Sequence, residues 1–523
     1  MPERYVAREN GRSGGICYHQ TRKLMEYPRA AGILLHPTSL PGRFGIGDLG
    51  PAAFEFIDQL ADAGQTYRQM LPLGPTGYGD SPYQSFSAFA GNLLLISPEK
   101  LADDGLISPE IVDQMSLPEA GRVDYGAVFE RKSSMLPAAF ESFSKAGGLP
   151  DEFERFAEEN ANWLDDFALY RAVKASQGQK PWFEWDEKLK LRDAAALADT
   201  ARSLGAEIET EKFFQFLFFR QWNAVREYAN RKGIKVIGDL PIFVALDSAD
   251  VWRHQSQFKL NADGTPKVVS GVPPDYFSKT GQLWGNPIYE WDAMKRDRFK
   301  WWADRFRSAL RMFDIVRIDH FRGFAACWEV PGEDKTAEHG MWVEAPGREL
   351  FAAVKNAVGE LPFIAEDLGV ITPDVTALRD EFGFPGMRIL QYAFGGGPDN
   401  QDLPHHYIRN CVAYTGTHDN DTALGWYKAR AGAEENHELK HCLDYLNSDG
   451  EEFNWDFIRG VLASVADTAI VPMQDVLGLD NDSRMNLPAS TSGNWNWRML
   501  EGAFSGDVIQ KLAAMTELYG RGR

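Results

Sequence analysis

The sequence predicts an α/β fold, a (β/α)8 TIM barrel with large helical and loop insertions. Eight short, mostly apolar segments recur along the 523 residues, and helical patterns lie between many of them. Several of the eight are almost continuously apolar, which is typical of parallel strands covered on both faces. This alternation favours a closed barrel, and a longer doubly wound sheet is the alternative. The predicted strands lie at 31–36, 66–73, 234–240, 314–319, 362–367, 386–392, 411–419 and 468–475.

The spacing of the strands predicts two insertions in the barrel. Residues 97 to about 212 separate the second and third strands and have helical patterns rich in Ala, Glu and Lys, which predicts an inserted helical subdomain. The segment EKFFQFLFFRQWNAVREYANRKG that follows predicts a helix ending at Gly233, directly before the third strand. Residues 247 to about 300 are rich in Gly, Pro and aromatics and predict a loop-rich subdomain that covers a cleft.

Composition restricts the partners of this chain. The formal net charge of −20 disfavours phosphate backbones and anionic membrane surfaces, so we expect no nucleic-acid and no membrane partner. No apolar run approaches the length of a transmembrane helix. Aromatic residues make up 12% of the chain, including 15 Trp, which suits either a large core or exposed rings that contact the faces of sugars.

The cysteine content and the first residues of the chain indicate the cellular compartment of the protein. The four cysteines lack metal-ligand spacing and indicate reduced thiols in a cytoplasmic protein; they are Cys17, Cys327, Cys411 and Cys442. No metal ion or other cofactor is predicted. The first 24 residues lack the apolar segment of a secretory signal, and we expect a disordered extension over residues 1–30 or a misassigned start. The basic residues among the first 24 leave an organelle transit peptide as the alternative.

Ionisable residues follow several predicted strands at their carboxyl ends, where barrel enzymes carry their chemistry. A single acid in such a place has little meaning, because many barrels end strands that way. Agreement among several strands is a stronger indication of a site. The residues are Asp239 after the third strand, Arg317 and Asp319 on the fourth, Glu366 after the fifth, and His418 and Asp419 after the seventh.

Two of these acids have settings that suit different tasks. Arg317 and Asp319 are two residues apart on a strand and face the same side, and the arginine favours the ionised carboxylate that a covalent nucleophile requires. A structural ion pair is the alternative. Glu366 follows the apolar residues 363–365, and partial burial would raise its pKa and keep it protonated as a general acid. Two carboxylates of different pKa form the arrangement of glycosidases.

The motifs resemble those of the amylomaltases, or 4-α-glucanotransferases (disproportionating enzymes), within the wider α-amylase group. VRIDHFRGF and YTGTHDNDT contain elements shared with amylases at large, whereas GDSPYQS and PPDYFSKTGQLWGNP are specific to amylomaltases. The resemblance covers nearly the whole chain from residue 31 onward. It implies a barrel without the C-terminal β-sandwich of hydrolytic amylases. The chain departs from the family's usual residues at Arg68, in place of an aromatic, and at Ala489, in place of glycine.

The resemblance implies a role for each candidate residue. Asp319 matches the nucleophile, Glu366 the general acid/base and Asp419 the carboxylate that stabilises the transition state, while Arg317 matches the arginine that orients the nucleophile. The aromatic segment 271–291 matches a loop that overhangs the cleft. The remaining substrate-binding residues that the resemblance implies are Tyr83, Asp239, His418, Tyr276, Phe277, Trp284 and, away from the catalytic centre, Tyr78.

The implied activity is transfer of a 1,4-α-D-glucan segment to the 4-hydroxyl of an acceptor glucan or of glucose, by retaining double displacement through a covalent glucosyl–Asp319 intermediate. The implied partners are maltooligosaccharides, amylose (starch), glycogen-derived dextrins and glucose. A hydrolytic α-glucanase on the same barrel is the first alternative, because the two carboxylates serve both reactions. A non-catalytic glucan-binding protein is the second. A nucleotide-dependent glycosyltransferase is disfavoured, because no Gly-rich phosphate loop follows a strand.

Overall fold

The computed structural model of the protein describes residues 28–146, 150–274, 278–432, 436–490 and 492–522. Most of the predicted N-terminal extension, with Cys17, lies outside the described residues. The strands are β1 (Ala30–Leu34), β2 (Tyr67–Gln69), β3 (Lys235–Pro241), β4 (Val268–Val272), β5 (Gln282–Pro287), β6 (Ile315–Asp319), β7 (Ala326–Pro331), β8 (Met341–Glu344), β9 (Phe363–Ala365), β10 (Gly386–Ile389), β11 (Cys411–Tyr414) and β12 (Thr468–Pro472).

Eight of these strands form a nearly closed parallel barrel. Their order is β10–β11–β12–β1–β2–β3–β6–β9, and each paired neighbour runs parallel. The N–H of Ala365 on β9 donates to the carbonyl of Pro385, which precedes β10, over 2.9 Å and links the two ends of the sheet. The eight barrel strands match the eight predicted segments. The predicted TIM barrel is therefore confirmed, and the doubly wound alternative is excluded.

Burial on both faces explains the apolar composition of the barrel strands. Every residue of β1, β9, β11 and β12 is buried. Helices cover the outside of the barrel. The α-helices are α1 (Pro51–Asp62), α2 (Pro98–Asp103), α3 (Pro109–Gln114), α4 (Tyr125–Ala146), α5 (Pro150–Glu159), α6 (Ala161–Ser176), α7 (Glu187–Lys190), α8 (Ala194–Ser203), α9 (Gly205–Arg231), α10 (Ala249–Arg253), α11 (Trp291–Arg296), α12 (Lys300–Met312), α13 (Gly347–Val358), α14 (Pro373–Phe382), α15 (Ala423–Ala431), α16 (His437–Leu446), α17 (Phe453–Ala463), α18 (Met473–Val476) and α19 (Gly506–Leu518).

Helix α9 shows how an apolar pattern becomes a buried face. Its FFQFLFF segment supplies buried side chains from Phe213 to Phe218, and the helix packs against β3 and α1. The helix ends at Arg231, and Gly233 adopts a φ of 70°, the left-handed conformation that glycine takes most readily after a helix. The chain can then enter β3 at once.

A second sheet lies outside the barrel and was not predicted. It contains four antiparallel strands in the order β5–β4–β7–β8. Strands β4 and β5 come from the predicted loop-rich segment, and β7 and β8 come from the residues that follow β6. Helices α2 to α8 occupy the long segment between β2 and β3. The division into subdomains remains a prediction. No described helix is long and apolar enough to span a membrane.

Candidate active site

Asp319 and Glu366 lie side by side at the carboxyl edge of the barrel. Strands β6 and β9 are neighbours, and Ile318 is in register with Ala365. Asp319 and Glu366 are the next residues of the two chains. Adjacent parallel strands are about 4.8 Å apart, so the backbones of the two acids lie side by side. The structure thus places Asp319 and Glu366 at neighbouring strand ends, and their catalytic roles stay predictions.

Arg317 connects Asp319 to an acid on the other neighbouring strand. One of its terminal nitrogens donates to both carboxylate oxygens of Asp239, at 2.8 and 2.7 Å, and to Asp319 Oδ1 at 3.0 Å. Arg317 and Asp239 are buried, whereas Asp319 keeps part of its side chain exposed. Burial lowers the pKa of Arg317, but the charges of Asp239 and Asp319 raise it, so that it ends well above its usual value. The guanidinium therefore stays charged beside Asp319.

The carboxylate of Glu366 accepts two backbone hydrogen bonds. The N–H of His320 donates to Oε2 at 2.6 Å, and the N–H of Leu368 donates to Oε1 at 2.9 Å. Burial raises the pKa of Glu366 to about 7; the charge of Arg317 opposes the rise and that of Asp319 adds to it. This rise in the pKa of Glu366 agrees with the prediction from the apolar residues 363–365 that precede it. At neutral pH Glu366 can therefore hold a proton beside the partly exposed Asp319.

Tyr83 and His418 complete a hydrogen-bonded chain from Asp239. The Tyr83 hydroxyl donates to Asp239 Oδ2 over 2.8 Å and lies 2.9 Å from His418 Nε2. Because the one hydroxyl hydrogen goes to Asp239, Nε2 of His418 supplies the hydrogen of the second bond. The two rings are stacked, with centroids 5.3 Å apart, and Trp495 packs against both. The carboxylate of Asp239 is thus fully engaged by Arg317 and Tyr83.

Asp419 is held by residues that the sequence analysis did not select. The side-chain amide of Asn486 donates to its Oδ1 over 2.7 Å, and a guanidinium nitrogen of Arg484 donates to its backbone carbonyl. His418 Nε2 lies 3.4 Å from Oδ2. Both Asn486 and Arg484 lie in VPMQDVLGLDNDSRMNLP, residues 471–488, which is a further segment that resembles the family. No spacing rule connects them to Asp419.

The segment predicted to overhang the cleft contacts the turn after β6 through Trp284. This residue lies on β5, and its ring meets the His320 ring edge to face at 4.7 Å. His320 follows β6 with a φ of 49°, and burial lowers its pKa to about 4, so it is neutral. Tyr276, Phe277 and the side chain of Tyr78 lie outside the described residues, and their predicted roles remain predictions. Among the described residues, no group of three or more His, Cys, Asp or Glu side chains is placed to hold a metal ion.

Comparison with known proteins identifies the family of this chain. The family model described as 4-alpha-glucanotransferase matches residues 35–502. A 4-alpha-glucanotransferase of Thermus thermophilus is 50% identical over 500 residues, which cover 94% of this chain and 99% of that protein. The enzyme of the same name from Synechocystis is 48% identical over 498 residues, covering 94% of this chain and 98% of that one.

The fold comparison gives the same family. An amylomaltase from Streptococcus agalactiae, solved in complex with acarbose, superposes with a TM-score of 0.91 and 41% identity, covering 95% of this chain and all of that chain. An amylomaltase from Corynebacterium glutamicum, at 17% identity and a TM-score of 0.75, shares the fold over 94% of this chain and 75% of that chain. The family model and these closely similar relatives show that the chain belongs to the 4-α-glucanotransferase family.

Proposed function

We propose that this chain transfers a segment of a 1,4-α-D-glucan to the 4-hydroxyl of an acceptor glucan or of glucose, through a covalent glucosyl–Asp319 intermediate. The observation that carries the proposal is the pairing of Asp319 and Glu366 on adjacent, in-register strands, together with the burial that raises the pKa of Glu366 to about 7. Retaining enzymes hold their two carboxyl groups about 5 Å apart. Adjacent parallel strands are about 4.8 Å apart, so the backbones of Asp319 and Glu366 are close enough for that arrangement.

The first step cleaves the donor. Glu366 gives its proton to the glycosidic oxygen while an oxygen of Asp319 attacks the anomeric carbon. The bond between the anomeric carbon and the glycosidic oxygen breaks, and the leaving glucan departs with the proton. Arg317 donates to Asp319 Oδ1 at 3.0 Å and so fixes the orientation of this carboxylate. Asp419, fixed by Asn486, faces the site as an anion that stabilises the oxocarbenium-like transition state.

The second step reverses the roles of the same groups. Glu366, now a carboxylate, takes the proton of the acceptor 4-hydroxyl, and the acceptor oxygen attacks the anomeric carbon. The bond to Asp319 breaks and a new α-1,4 linkage forms. Water in place of the acceptor would give hydrolysis. We propose that the segment that includes Trp284 favours transfer by enclosing the acceptor and excluding water.

The substrate class and location belong to the same proposal. A chain of net charge −20 suits a neutral polysaccharide, and we propose maltooligosaccharides, amylose, glycogen-derived dextrins and glucose as its partners. Three described cysteines, Cys327, Cys411 and Cys442, are buried free thiols, which supports a reducing compartment such as the cytoplasm. The residues Tyr83, His418 and Trp284 would line the site of the transferred sugar and its neighbour.

Incubation with maltotriose tests the proposal. Transfer gives glucose together with maltooligosaccharides longer than the substrate, in amounts that balance. A product mixture that contains only shorter sugars would instead establish the hydrolytic alternative. Asp319→Asn should abolish both products while leaving retention on an amylose column unchanged, since the amide keeps the shape of the side chain. An Asp319→Asn variant that turns over at the wild-type rate would disprove the nucleophile.

A further inference from the structure

One tryptophan differs from all the others in its exposure. All 15 tryptophans are described, and 14 are buried or partly buried; Trp342 on β8 is 39% exposed. Val370, whose carbonyl accepts a hydrogen bond from Arg322, is 74% exposed. Met341 is 65% exposed, but it is the neighbour of Trp342 on β8, so its side chain faces the other side of the sheet. We call Arg322, Trp342 and Val370 the rim patch. An aromatic ring left exposed beside a charged donor is a candidate contact for a ligand or a partner.

Arg322 ties the rim patch together. The centre of its guanidinium lies 4.0 Å from the centroid of the Trp342 ring. One of its terminal nitrogens donates to the carbonyl of Val370 at 2.8 Å and to the Thr372 hydroxyl at 3.0 Å. On the strand side, Trp328 on β7 is in register with Trp342 and meets its ring at 5.4 Å. The exposed indole is therefore held in one orientation rather than left loose.

The rim patch belongs to the same two segments that hold the catalytic acid. Glu366 accepts hydrogen bonds from the N–H groups of His320 and Leu368. Arg322 lies two residues after His320, and Val370 lies two residues after Leu368. The turn after β6 and the loop after β9 thus hold Glu366 with their first residues and supply Arg322 and Val370 of the rim patch with their next ones. Trp342 joins the patch from β8 through its contact with Arg322, which links the patch to the Glu366 side of the site.

We infer that the rim patch is a glucan-binding subsite for the acceptor, with Trp342 as its platform. This inference rests on the proposed function. Glu366 protonates the departing oxygen and later deprotonates the incoming hydroxyl, so the acceptor lies on its side of the broken bond. A fixed, flat indole suits the apolar face of a glucose ring, and the terminal nitrogen of Arg322 that does not bond to Val370 and Thr372 can donate to its hydroxyls. Free glucose fills only the position beside Glu366, whereas a longer acceptor extends beyond it.

The consequence is a dependence on acceptor length. Remote contacts contribute binding energy for the acceptor only when the acceptor is long enough to reach them. Trp342 should therefore matter for maltotetraose as acceptor and not for glucose. The edge strand β8 also makes a second copy of the chain an alternative occupant, because an edge strand has unpaired backbone groups.

The test compares labelled glucose and labelled maltotetraose as acceptors, with amylose as the donor, in Trp342→Ala, Trp342→Phe and wild type. We expect Trp342→Ala to raise the KM for maltotetraose about tenfold, the effect of one lost aromatic contact. The KM for glucose should stay within about twofold of wild type, and Trp342→Phe should recover most of the loss. Leu518→Ala is the control, because Leu518 is also an exposed apolar side chain, at 68%. It lies three residues before Arg521, which donates to the carbonyl of Ala30 at the start of β1, so it belongs to the opposite end of the barrel.

Other results of this experiment would overturn the acceptor subsite or the proposed function. Equal KM values for maltotetraose in Trp342→Ala, Leu518→Ala and wild type would overturn the subsite while leaving the transfer activity in place. A parallel loss with both acceptors, together with a lower melting temperature, would show that Trp342 only supports the sheet and would also overturn it. A change of molecular mass in light scattering would assign the patch to a contact between copies. Wild type that labels neither product would refute the proposed function itself.

Discussion

The buried pair of Arg317 and Asp239 allows a quantitative prediction. Replacement of Arg317 by Met removes two hydrogen bonds to Asp239, at 2.7 and 2.8 Å, and leaves that carboxylate with the Tyr83 hydroxyl as its one remaining partner among the hydrogen bonds described here. The Asp239 side chain has no exposed surface. Removing one partner of a buried ion pair typically costs about 3–5 kcal/mol, because the other charge stays buried without compensation. We expect a loss of that size in the free energy of unfolding.

The pH dependence follows from the same residue. Burial raises the pKa of Asp239, and Arg317 opposes that rise in the wild type. Without Arg317, the folded pKa of Asp239 lies further above its unfolded value of about 3.9. A group with a raised folded pKa contributes stability at low pH and loses it as the pH rises. The destabilisation of Arg317→Met should therefore be larger at pH 8 than at pH 5.

Urea unfolding followed by fluorescence measures these losses, with two further variants for comparison. Asp239→Asn combined with Arg317→Met removes the uncompensated charge and should recover about 2 kcal/mol of the loss. Arg348→Met breaks an ion pair of the same 2.7 Å length at the surface and should cost less than about 1 kcal/mol. If Arg317→Met costs no more than Arg348→Met, or if the double variant is no more stable than Arg317→Met, the electrostatic explanation of this pair is wrong.

Three further predictions concern the catalytic groups and one loop. Because Glu366 must be protonated in the free enzyme and its pKa is raised to about 7, kcat/KM for maltotriose should fall as the pH rises above that value; a constant kcat/KM up to pH 9 would contradict this. Asn486→Leu removes the donor to Asp419 and should lower kcat about tenfold with little change in KM, so an unchanged kcat would disprove the positioning role. Ala489 has a φ of 64°, and Ala489→Gly should raise the free energy of unfolding by up to about 1 kcal/mol; a decrease would show that the loop is not strained.

The barrel and its acids could be predicted because their signals are local. A buried parallel strand is recognisable from its own run of apolar residues, and a residue at its carboxyl end is brought to the active edge by the fold itself. Asp319 and Glu366 meet for that reason. The antiparallel sheet was missed because β7 and β8 are short and partly exposed, and their pairing with β4 depends on contacts across the insertion. The side-chain network was missed for a similar reason. Asp419 and Asn486 are 67 residues apart, and no periodicity relates them.

The sequence by itself determined the fold class, the strand positions and the identity of the charged residues at the strand ends, because each depends on the residue types within a short segment. The tertiary structure decided which partners those charges have. Arg317 is 78 residues from Asp239, yet it shares one terminal nitrogen between Asp239 and Asp319, and the burial that raises the pKa of Glu366 comes from the packing of separate strands and turns. The type of ionisable group is a property of the residue. Its pKa and the orientation of its side chain depend on distances to other charges and on exclusion of solvent, which only the folded chain creates.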